Sequence, residues 1–209
     1  VPLATVFMQH WAGATTCPSV SLDTLDDLLR VRYAEAREKW AAVDVSESDF
    51  LRFVARRVPG DADPSQFVTT LQTADLYLAC GCVLGVASAV ACLDATFFLT
   101  ISRHISKLDS SPAFADDVRQ TLRERLLCAP DGQEPDLTKY SGAGALAKWI
   151  QVCAVRTATS LKRNRDEHAK FSLDQIAIQN IPLTDSPELD AIRVRCRQAL
   201  REALIESFA

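Results

Sequence analysis

The sequence predicts an all-α protein, a helical bundle, on three observations. Apolar residues recur near the 3.6-residue period in most windows. Helix-starting residues stand in front of several of those windows. No window shows the two-residue alternation of a strand bounded by turns. With 209 residues and 48% hydrophobic content, the chain can bury one sizeable core, or one core and a smaller satellite.

Residues 1–20, VPLATVFMQHWAGATTCPSV, lack a cationic leader and so make no convincing signal peptide; they read as a tail. From Ser21 to Ala42, Leu22, Leu25, Leu28, Leu29, Val31, Tyr33, Ala36 and Trp40 follow a helical spacing. Ser46 and Asp49 resemble a capping box that opens a helix from Glu47 to Val58, ended by Pro59-Gly60. Asp63-Pro64 starts the next, because proline is welcome at the first helical position. The pattern carries that helix through Phe67, Leu71 and Leu76 to Cys80-Gly81-Cys82. A further helix covers Ser88 to Leu108, and another follows Ser111-Pro112 to Cys128. The proline-bearing loop APDGQEPD leads to a turn at Gly142-Ala143-Gly144 and then to an amphipathic helix ending at Arg165. Residues 166–186 lose the pattern and read as a linker, and Ser186-Pro187-Glu188 caps a closing helix over 187–209.

Leu76 to Leu93 is eighteen residues without a charge, the lower limit for a membrane span. Asp75 and Asp94 close both ends, no Lys or Arg anchors them, and several positions are Gly, Ser or Cys. These features predict a buried helical hairpin and no membrane partner. The seven cysteines are an odd number without a C-x-x-C pair, mostly among Ala, Leu and Val. They read as small buried hydrophobes in a reducing compartment, which places the chain in the cytoplasm with no disulfide framework and no zinc.

Charge is unevenly distributed. Residues 139–170 hold seven Lys or Arg against the acids 166 and 167, net +5 in a chain of net −4, so the remainder carries −9. Non-specific DNA affinity comes from many neutralised phosphates. Such a chain is no general DNA coater and suits a module brought to nucleic acid by a larger partner. His10, His104 and His168 lie far apart, and there is no H-E-x-x-H, G-x-S-x-G or G-K-[ST] pattern, so no enzyme activity and no cofactor are expected.

The span from about Ala74 to Arg165 resembles, in order, region two of bacterial RNA polymerase sigma factors of the extracytoplasmic-function type. DDVRQTLRERLL at 116–127 is similar to the family's acid-led helix that docks on the polymerase clamp. GALAKWIQVCAVRTATSLKRNRD at 144–166 resembles the aromatic-bearing helix that captures the promoter minus-ten element. Residues 21–73 resemble a helical extension of sigma-like proteins of myxobacteria and relatives, and 187–209 looks like the start of region four. The resemblance implies a region two-like domain at 74–165 that binds the clamp helices of core RNA polymerase through Asp117, Gln120 and Arg123. It implies promoter DNA contacts from Lys139, Lys148, Trp149, Arg156, Lys162, Arg163 and Arg165, and an anti-sigma factor as a candidate further partner. Separating strands needs stacking surface and cationic backbone contacts together.

The chain departs from the family's pattern at three points. Ala154-Val155-Arg156 stands where members commonly show Ala-Arg-Asn, and Ser160 stands where a later Asp is usual, which implies altered base readout. The DNA-reading half of region four does not precede Ala209, so either the protein continues past this residue or it acts without a minus-thirty-five contact. Plain readings stand beside these. Trp149 is spaced to be core as well as base-stacker; Lys162, Arg163 and Arg165 also complement a helix C-terminus, and Asp116-Asp117 a helix N-terminus; the glycines serve an ordinary turn. Three functions follow: an initiation factor, a sigma mimic that binds polymerase or an anti-sigma factor without opening DNA, and a helical scaffold.

Overall fold

The computed structural model describes residues 2–13, 21–128 and 134–165, so the expected linker and closing helix lie outside the described residues. Within them the chain forms nine α-helices and two short 3-10 turns, and no strand. The helices are α1 (Leu3–His10), α2 (Leu22–Lys39), α3 (Glu47–Ala55), α4 (Pro64–Thr70), α5 (Thr73–Val83), α6 (Ala87–Thr96), α7 (Ile101–Ile105), α8 (Pro112–Leu127) and α9 (Leu146–Arg165). The 3-10 turns are Phe98–Thr100 and Asp136–Lys139.

Local capping sets most helix starts. Ser21, Ser46 and Ser111 each accept the backbone N–H three residues on, from Thr24, Asp49 and Phe114. Asp63 accepts from Ser65 and Gln66 with Pro64 at the first helical position. Each such cap is worth about 1 kcal/mol.

α5 is the centre of the described core. All of Leu76 to Cys82 is buried, and α2, α3 and α6 pack around it. Tyr33, Phe50 and Tyr77, from α2, α3 and α5, meet with ring centroids 5.5 to 5.9 Å apart. Such pairs add about 0.5–1.5 kcal/mol to the area they bury. The Tyr77 hydroxyl accepts from the Val45 N–H and donates to the Val43 carbonyl, and Tyr33 donates to the Val45 carbonyl at 2.8 Å. Three hydroxyl bonds thus pin the α2–α3 loop.

Leu76 to Leu93 forms a helical hairpin, α5 and α6, turned at Gly85 with φ of 74°, but only Leu76 to Cys82 is buried throughout: α6 buries Ala89 and Leu93 alone, and Leu84 is exposed. No helix among the described residues is long and apolar enough to cross a membrane. Cys80 and Cys82 are buried and Cys92 and Cys153 half-buried, whereas Cys128 is exposed rather than packed.

Three elements differ from the sequence pattern. The described part of the opening segment, residues 2–13, is no tail: α1 buries Leu3, Ala4 and Phe7 against α2 and α3. Ala4 N–H donates to Asp26 at 2.9 Å and the Trp11 indole to the Pro59 carbonyl at 3.1 Å. The single helix expected from Asp63 to Cys82 breaks at Leu71, where ψ of 146° buries the leucine and frees the Gln72 N–H to donate to the Gly142 carbonyl at 2.8 Å. The helix expected over Ser88 to Leu108 is divided by the 3-10 turn, which buries Phe98 next to Ile101. The boundary expected between residues 73 and 74 falls inside one continuous core, since α2 and α3 pack directly on α5.

Candidate nucleic-acid interface

The start of α9 is fixed from outside the helix. A helix opens with unpaired N–H groups, and Ala145, before Leu146, has no polar side chain to offer them. Asp75 Oδ2, on α5, accepts the Leu146 N–H at 2.9 Å, and its Oδ1 accepts from Lys39 at 3.1 Å. The Tyr140 hydroxyl donates to the Gly144 carbonyl at 2.6 Å, and Gly142 adopts φ of 81° against Leu76. Arg57 of α3 completes the seat. Its guanidinium donates to the carbonyls of Phe53, Thr138 and Tyr140 at 2.5, 2.8 and 2.7 Å. It also lies 3.4 Å from the Phe53 ring centroid. Burial pulls the Arg57 pKa down to about 10.

With that start, α9 turns Leu146, Ile150, Ala154 and Ala158 inward, together with the polar Gln151 and Thr157. Its inner side packs on α7 and α8. The opposite side carries Lys148, Arg156 and Arg163, all exposed. At 3.6 residues per turn these positions fall within about 80° of each other and span about 22 Å along the axis. Val152, Val155 and Thr159 lie between them, half-buried.

The other expected DNA contacts divide. Trp149 is half-buried and packs its ring 5.8 Å from that of Tyr140, tilted by 56°, so its position is as much core as surface. Lys162 is half-buried and its ammonium donates to the Leu108 carbonyl after α7. Lys139 is exposed and pairs with Asp136 at 2.5 Å. Arg165 is the last residue of α9, and its side chain lies outside the described residues. Of the positions that depart from the sigma pattern, Val155 is half-buried while Arg156 and Ser160 face solvent.

On α8, Phe114, Val118, Leu122 and Leu126 face the core, and Asp117, Gln120 and Arg123 are exposed. Gln120 donates to Glu124 at 3.1 Å, and Arg123 pairs with Asp94 of α6 while lying 5.9 Å from the Phe98 ring centroid. Gln120 and Arg123 line an open groove opposite Ala91, Ala95 and Phe98; Asp117 stands outside it.

The sequence reading put Arg125 beside the clamp-facing residues of α8 and passed over Asp136. In the fold the two pair with each other, and with Arg156 they act electrostatically on the Cys153 thiol of α9, which burial pushes up in pKa. The local pattern cannot mark this pairing, because α8, the 3-10 turn and α9 meet only in the folded chain. On α7, burial lowers His104, and Lys148 adds to the effect. Among the described residues no three metal-ligating side chains come together.

No family model, curated protein or solved structure matches this chain.

Proposed function

We propose that this chain is a sigma-type transcription initiation protein. In this reading the acid-led face of α8, with Asp117 and Gln120, docks on core RNA polymerase. The cationic face of α9 holds the backbone of promoter minus-ten DNA. The observation that supports it best is the common exposed side of Lys148, Arg156 and Arg163, directed away from the helices that carry α9. Three exposed cations neutralise few phosphates, so affinity for DNA alone is weak and the polymerase supplies the rest.

The test is retention of bacterial core RNA polymerase by the full chain, then a shift of upstream-fork DNA by the complex. Asp117→Lys abolishes retention, and Arg156→Glu with Arg163→Glu abolishes the shift while retention persists. Equal retention by Asp117→Lys would remove that face from the reading, and no retention by the wild-type chain would remove the reading.

One observation favours a second function, a sigma mimic that binds polymerase or an anti-sigma protein without opening DNA. Trp149, the stacking group that base capture would use, is half-buried and already packs against Tyr140. A complex that forms yet fails to hold a single-stranded minus-ten oligonucleotide would select it.

A further inference from the structure

A second group of charges adjoins the cationic face of α9. Arg125, in the last turn of α8, donates from Nη2 to Asp136 Oδ2 at 3.1 Å, and Lys139 donates to Asp136 Oδ1 at 2.5 Å. One carboxylate therefore serves two cations, with one oxygen for each. The cations stay open to solvent while the acid lies beneath them: the side chains of Arg125 and Lys139 are 54% and 71% exposed, that of Asp136 25%. Those two donors, Lys139 foremost, hold the Asp136 carboxyl below its ordinary pKa, so it is charged at neutral pH.

The group is continuous with α9. Arg125 also donates from Nη1 to Thr157 Oγ1 at 3.4 Å, and Arg125, Asp136 and Arg156 all act electrostatically on the same Cys153 thiol. An exposed ion pair is weakly held, and a guanidinium fork accepts a phosphate in the geometry in which it accepts a carboxylate.

We propose that Arg125 and Lys139 are phosphate-contacting residues of the α9 surface, and that Asp136 is an internal stand-in for a backbone phosphate, which a nucleic-acid phosphodiester displaces. The proposal rests on the nucleic-acid reading of α9. It adds a residue from a different helix to that surface and makes the cations at its edge conditional. Without nucleic acid the cluster carries net +1; once a phosphodiester has displaced Asp136, both cations face the strand.

The test uses the full chain and a labelled single-stranded DNA oligonucleotide, with the logarithm of affinity plotted against the logarithm of salt concentration. Asp136→Asn, which keeps an oxygen acceptor, binds about two- to five-fold tighter at low salt, the fold-change of one exposed ion pair. Its slope steepens by about 0.7, one phosphate equivalent on a single strand. Adding Arg125→Ala cancels that gain. Asp23→Asn removes the same charge from an exposed position on α2 and leaves affinity and slope unchanged. In the wild-type background Lys139→Ala flattens the slope by about 0.7, so the proposal remains testable if Asp136→Asn folds poorly.

An Asp136→Asn slope equal to wild type, or an equal gain from Asp23→Asn, overturns the proposal. The nucleic-acid reading survives either result if Arg156→Glu still loses binding. A wild-type chain that binds no oligonucleotide at low salt overturns both.

Discussion

Asp75 accepts the backbone N–H of Leu146, 71 residues further along the chain, at 2.9 Å, and so acts as the N-cap of a helix to which it does not belong. The placement satisfies a donor that the sequence before α9 leaves open, and puts a carboxylate at the positive end of the helix dipole. Its other oxygen is held by Lys39, which ties α2 to the same point.

Asp75→Ala therefore loses a remote cap and leaves Lys39 without its carboxylate. The expected cost is about 1–2 kcal/mol in urea unfolding, with Asp75→Asn recovering part of it because the amide oxygen still accepts. Wild-type stability for the alanine variant would count against the capping role.

The two glycines of the α9 turn are unequal. A Cβ on Gly142 meets Leu76 at 2.6 Å, and φ of 81° is a conformation that L residues rarely adopt; a Cβ on Gly144 meets nothing within 4 Å. Gly142→Ala is expected to cost about 2–4 kcal/mol, strain and overpacking combined. Gly144→Ala stays within about 0.5 kcal/mol. Unfolding midpoints of the pair read this directly, and similar midpoints would refute the close approach.

Burial pushes the Cys80 and Cys82 thiols up to about 12 from an ordinary 9.0. The unfolded chain releases these protons first, so the protection that burial gives is complete below pH 9 and is lost as pH rises from about 9 towards 12. Stability measured by denaturant at successive pH values above 8 should fall, and fall less steeply in Cys80→Ala/Cys82→Ala. An identical slope in the variant would assign the alkaline loss to other groups.

What the sequence made legible was local. Ser21, Ser46, Asp63 and Ser111 announce their helices because each cap lies within three residues of the donors it satisfies. The amphipathic pattern that ends at Arg165 likewise announced α9, although the residues the helix buries are Leu146, Ile150, Ala154 and Ala158, with Trp149 only half-buried. What stayed hidden depends on distant partners. The break at Leu71 answers to the carbonyl of Gly142. α1 is short and has no side-chain cap, and its seat is made by Asp26 and Pro59. The bond from Lys162 to the Leu108 carbonyl and the pairing of Arg125 with Asp136 likewise join residues far apart in the chain.

The Arg57 clamp decides how this polypeptide can be divided. Its guanidinium is made 81 and 83 residues ahead of Thr138 and Tyr140, the carbonyls it holds across the fold. On the ribosome the socket is thus synthesised long before the helix it orients. A fragment beginning at residue 74 would keep every cation of α9, yet it would leave those two carbonyls without their donor and the cationic side without a fixed bearing. The early third of the chain therefore helps to seat the last described helix, through carbonyls that stand just before it.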